Sequence, residues 1–91
     1  MNNNALIEIY NNLKNGMIYA DYLSNVRFPC FWYVLTYDRI KNLFFWRNFG
    51  ESANKATLKD LAWIIEQIFD TTPEAFAEKY HCVDRATYNA F

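Results

Sequence analysis

The sequence predicts an α+β fold: an N-terminal helix, an antiparallel β-hairpin or three-stranded sheet, and two to three C-terminal helices packed on it. Three observations carry that reading. Two runs rich in aromatic and β-branched residues, Phe31–Tyr37 and Leu43–Phe49, flank a short polar segment. Apolar residues on either side of this pair recur at helical spacing. Capping residues mark where the flanking helices begin and end.

The hairpin organises the chain. From Phe28 to Gly50 it reads FPCFWYVLTYDRIKNLFFWRNFG, which holds half of the chain's three Trp, seven Tyr and eight Phe. Asp38-Arg39-Ile40-Lys41-Asn42 is the connection, and without Asn-Gly or Asp-Gly it leaves turn type and register open. If Tyr37 faces Leu43, one face carries Phe31, Tyr33, Leu35, Tyr37, Leu43, Phe45, Arg47 and Phe49. The other carries Trp32, Val34, Thr36, Phe44, Trp46 and Asn48. A one-residue slip exchanges the second strand's two sets. In either register both faces hold large aromatics, whereas a sheet with one wet face alternates apolar and polar. Both faces therefore require cover, from helices or from a partner.

The first helix starts after Asn4, an N-cap residue type, and carries Leu6, Ile9, Tyr10 and Leu13 on one stripe. Asn15-Gly16 ends it, with Gly16 suited to a left-handed position. Met17 to Ser24 fits a helix or a strand; as a strand it makes the sheet three-stranded. Past Gly50 and a loop over 51–56, Thr57 and Asp60 resemble a capping box. They open a helix over Leu58–Phe69 with Leu58, Leu61, Ala62, Ile65, Ile68 and Phe69 as its core stripe. Trp63 falls away from that stripe, among Lys59, Asp60, Gln67 and Asp70. Asp70-Thr71-Thr72 breaks the helix. Thr72 as N-cap and Pro73 at the first helical position start another, with Glu74 in its first turn and Phe76, Ala77, Tyr80 and Val83 on its apolar side. Asp84 caps a last short helix anchored by Tyr88 and Phe91.

Ninety-one residues make one domain over 1–91. A hydrophobic fraction of 53% and a net charge of −1 argue against disorder and against a generic polyanion binder. The charge is nonetheless uneven. Arg27, Arg39, Lys41, Arg47, Lys55 and Lys59 precede a C-terminal part that holds Asp60, Glu66, Asp70, Glu74, Glu78 and Asp84. No apolar run is long enough for a membrane span, and the N-terminus lacks the basic and small-residue features of a signal peptide. Cys30 and Cys82 do not make a disulfide framework. A cytoplasmic protein is expected.

Catalysis is not expected. Gly16 and Gly50 are the two glycines, so no phosphate-cradling loop exists. His81, Cys82 and Cys30 are too few for a metal site. Cys30 with His81 as a nucleophile pair lacks an orienting group and an oxyanion hole. No cofactor is expected either.

What remains is a small interaction protein that acts as an inhibitor or regulator, of the type carried by phages and mobile elements, on a larger protein or nucleoprotein complex. Its candidate contact residues are Trp63, Trp32, Trp46, Phe44 and Arg47 with the acidic Asp60, Asp70, Glu74 and Glu78. Tryptophan, tyrosine and arginine are enriched in such contacts. Homodimerisation through the aromatic sheet is a related expectation. The competing class is a single-stranded nucleic-acid binder that stacks bases on Trp32, Phe44 and Trp46 beside Arg39, Lys41 and Arg47.

Overall fold

The computed structural model describes residues 4–22, 31–46, 50–51, 55–84 and 86. Helix α1 spans Asn4–Lys14 and buries Leu6, Ile9 and Leu13. It includes Asn4 itself and ends in a Schellman motif. Gly16 N–H donates to Leu13 O and Met17 N–H donates to Asn12 O, each at 3.0 Å. Gly16 adopts φ +94°, where a side chain would strain the backbone.

The segment after the turn is a strand. Among the described residues five antiparallel strands form one sheet in the order β4-β3-β2-β1-β5. They are β1 (Ile18–Tyr22), β2 (Phe31–Asp38), β3 (Leu43–Trp46), β4 (Gly50–Glu51) and β5 (His81–Val83). The expected hairpin is β2–β3, and its register is the slipped one. Tyr37 pairs with Phe44, Leu35 with Trp46 and Asp38 with Leu43. Asp38 sets this geometry: its Oδ1 accepts from Ile40 N–H at 2.9 Å and Lys41 N–H at 3.1 Å, while Asn42 closes the loop at φ +56°.

That register sorts the aromatics. Tyr19, Leu35, Phe44 and Trp46 share one face and join Leu6, Ile9, Leu13, Leu61, Ile64, Ile65 and Phe76 in the core. Helix α1 lies on this face, against β1 and β2 and against both C-terminal helices. By alternation Ile18, Ala20, Thr36, Leu43 and Phe45 point the other way. Ile18, Ala20 and Leu43 are buried there, outside the helix-covered cluster, and Phe45 is partly exposed.

Helix α2 (Leu58–Trp63) begins with the expected capping box. Asp60 N–H donates to Thr57 Oγ1 at 3.1 Å, and Thr57 N–H donates to Asp60 Oδ2 at 3.4 Å. It runs on as a wider π-helical turn over Ile64–Ile68, in which Phe69 N–H donates to Ile64 O. The buried stripe is Leu61, Ile64 and Ile65, with Ala62, Ile68 and Phe69 packed beside it. Two positions correct the expected stripe: Leu58 is 37% exposed and Ile64 is fully buried. Leu58 opens the first turn, and Ile64 is three residues beyond Leu61 on the same side. Asp70 at φ +52° ends the element.

Helix α3 spans Pro73–Lys79, with Thr72 Oγ1 accepting from Ala75 N–H. Its Phe76 ring stacks on Tyr80 at 4.5 Å and meets Phe69 and Tyr19 at 5.1 and 5.4 Å. The apolar side does not continue to Val83 in a helix. Tyr80 is extended (φ −99°, ψ 140°) and leads into β5, which pairs Ile18 with Val83 and Ala20 with His81. Ala77 is exposed. The expected last helix, with Tyr88 and Phe91, lies outside the described residues.

Candidate functional site

Two surfaces stand out, on different elements. The first is the outer side of α2. Trp63 is two residues from both Leu61 and Ile65, so it is turned about 160° from the buried stripe. It is 52% exposed. Lys59, Glu66 and Gln67, three or four residues away on the same side, are exposed, and Asp60 is half-buried in the capping box. Local helix chemistry thus places a large indole on a polar face.

The acidic candidates divide. Asp60 is on this face of α2. Asp70 is exposed at the left-handed turn after it. Glu74 and Glu78 are exposed on α3, four residues apart and on one side of it. Among the aromatic candidates, Phe44 is fully buried and Trp46 is 6% exposed. Both belong to the core, so neither ring is open to a protein or to a base, and the expectation of a contact there is corrected. The slipped register is the cause, because it turns both residues under α1. Trp32 is in β2, but its side chain lies outside the described residues, and so does Arg47.

The second surface is a groove of about 740 Å³ at the tip end of the hairpin, lined by Gly16, Thr36, Tyr37, Asp38, Arg39, Ile40 and Phe45. Arg39 in this lining and Lys41 beside it in sequence are exposed, with Lys41 Nζ over the Phe45 ring at 6.0 Å from its centroid. Ile40, at the tip, is 96% exposed. Both cations are among the residues expected to meet nucleic acid, whereas Phe45 is not. Only the register reveals that Phe45, not its neighbours, faces away from the core.

A third cluster is polar and only partly covered. Tyr19 is buried, and its hydroxyl accepts from Asn12 Nδ2 at 3.0 Å and hydrogen-bonds the Cys82 thiol. Burial pushes the Tyr19 hydroxyl up to about 12. Burial also raises the Cys82 thiol, against the hydrogen bond from Tyr19 that lowers it. A thiol held protonated is a poor nucleophile and a poor metal ligand. Among the described residues no three His, Cys, Asp or Glu come together around a possible ion, and no helix is long and apolar enough to cross a membrane.

The architecture is a small mixed α+β domain, with Tyr19, Phe69, Phe76 and Tyr80 in one cluster of rings and Tyr10, Tyr37 and Phe44 in another. No family model, no curated protein and no solved structure matches this chain.

Proposed function

We propose that this protein is a non-catalytic binding domain, an inhibitor or regulator that acts in the cytoplasm on a larger protein or nucleoprotein complex through the outer face of α2. One observation carries the reading: Trp63 is half exposed on the side of α2 opposite its buried stripe. An indole left in water forgoes its burial energy, and Trp is enriched among residues that dominate binding. The exposed carboxylates Asp70, Glu74 and Glu78 favour a target whose contact surface is basic.

The test is Trp63→Ala, with a thermal melt and a quantitative pull-down from the native host. The melting temperature stays within a few degrees of wild type, while recovery of the specific partner falls roughly thirtyfold or more, the scale of a 2 kcal/mol hot spot. A large loss of stability with unchanged recovery removes Trp63 as a contact. Self-association through the sheet is read separately, by sedimentation at micromolar concentration.

A further inference from the structure

We infer that the groove at the hairpin tip binds single-stranded nucleic acid, with a base stacked on Phe45 and the adjoining phosphates held by Arg39 and Lys41. This is a second site, on the hairpin rather than on α2, and it does not rest on the role given to Trp63.

The volume comes first. About 740 Å³ is in the range of small-molecule sites and holds a nucleotide with room to spare. Next is the ring. Phe45 lines the groove and is partly exposed, on the face of the sheet turned away from α1. Base stacking needs an aromatic face in reach of solvent, and Phe44 and Trp46 do not offer one.

Charge then selects the ligand. Arg39 and Lys41 flank the tip, and among the described residues no carboxylate is paired with either. Asp38, the one acid among the described lining residues, is already held by the turn it builds, its Oδ1 accepting from two backbone N–H groups. Among the described side chains, two cations against one engaged carboxylate leave the tip positive, while the β4 backbone sets Glu51 opposite Phe45 in register. Lys41 Nζ lies over the Phe45 ring, 6.0 Å from its centroid, so a base that stacks on this face takes the ammonium's place and leaves it for the adjoining phosphate. A planar apolar ring with an anion next to it is the chemistry that fits. A strand of nucleic acid supplies both in every residue, whereas an acidic peptide supplies no obligatory ring.

Single strands also suit the shape better than a duplex. A paired base hides its face in the stack, and a groove that ends in a hairpin tip reaches one unstacked base.

The experiment is fluorescence anisotropy with a short fluorescein-labelled oligothymidylate and its oligouridylate counterpart, repeated over a salt series. Binding is expected at low salt. Its logarithmic dependence on salt should have a slope of about −1.4, two phosphate contacts at about −0.7 each for a single strand. Phe45→Leu keeps an apolar side chain but removes the ring, and should weaken binding between about fivefold and a hundredfold. Phe45→Trp should restore it. Arg39→Gln with Lys41→Gln, both on exposed side chains, should flatten the salt slope without moving the melting temperature. Trp63→Ala should leave the oligonucleotide affinity unchanged, which separates this site from the protein-binding face.

Absence of binding at low salt overturns the proposal. So does binding that Phe45→Leu leaves intact, or a duplex of the same length bound equally well, because either makes the contact one of charge alone. A protein partner lost on Arg39→Gln with Lys41→Gln, in a chain that binds no oligonucleotide, assigns the groove to protein and also overturns it.

Discussion

The Lys14 ammonium lies 4.1 Å from the centroid of the Tyr37 ring. Lys14 ends α1 and Tyr37 is near the end of β2, so this contact fastens the helix to the hairpin. Asn42 completes it: its Oδ1 accepts from Lys14 Nζ at 3.2 Å and from Tyr37 Oη–H at 2.9 Å. Its backbone O accepts from Ala56 N–H at 2.7 Å, and Tyr10 Oη–H donates to Ala56 O at 3.3 Å. Helix, hairpin loop and the segment leading into α2 thus meet at one residue.

Two changes at Asn42 separate its roles. Asn42→Gly keeps the left-handed backbone but loses the acceptor, and should destabilise by about 1 kcal/mol. Asn42→Ala also strains a residue at φ +56°, and should cost about 1–2 kcal/mol more. Urea denaturation of both variants measures the difference. Equal midpoints would show that the backbone conformation contributes nothing.

Tyr19 makes stability depend on alkaline pH. Its folded value is raised from 10.0 to about 12, mainly by burial. Below pH 10 the hydroxyl is protonated in both the folded and the unfolded chain, so this contribution is fully present. Between pH 10 and 12 the unfolded chain ionises first, and stability falls by up to about 2 kcal/mol. Tyr19→Phe should be less stable near neutrality, by about 1 kcal/mol for the lost hydrogen bonds, and should lose less stability over that window. Parallel pH dependence in the two proteins is the result that would sink this account.

Cys82 is exposed as a residue, yet its thiol is raised above the ordinary value. Alkylation by iodoacetamide at neutral pH should therefore be slower than for an unperturbed thiol and should accelerate as pH rises. Tyr19→Phe removes the hydrogen bond that favours the thiolate, so it should slow the reaction further. Faster alkylation in that variant contradicts the hydrogen bond's stated effect.

Phe76 has the opposite character to Trp63. Its ring is fully buried and meets Tyr19, Phe69 and Tyr80. Phe76→Ala should destabilise by about 3–5 kcal/mol. Thr72→Ala, which removes only the cap of the same helix, should cost about 1 kcal/mol. Calorimetry on the pair tests whether the core or the cap holds α3.

Local chemistry was legible in the sequence wherever a few neighbouring residues decide the outcome. Thr57 with Asp60, Thr72 with Pro73, and Gly16 after α1 all form the caps and stops their residue types specify. The hairpin and the exposure of Trp63 were legible for the same reason, since each follows from a local period. Register was not. It depends on how Asp38 folds the loop, and it decides that Phe44 and Trp46 are core while Phe45 faces the groove. Strand β5 was hidden as well. His81-Cys82-Val83 follows a helix with no break signal, and it becomes a strand because the edge of β1 takes it up.

The pairing of β1 with β5 has a consequence for the newly made chain. Tyr19 finds Cys82 roughly sixty positions later, the most distant pairing in the sheet. While the chain emerges from the ribosome, β1 can dock on β2, but its other edge has no strand until the C-terminal third has been synthesised. For that interval its backbone donors and acceptors invite any passing strand, including another nascent copy. A chain cut before His81 would retain the core residues under α1 and keep that edge open for good. Such a fragment should accumulate as aggregate in cells while the longer chain stays dispersed.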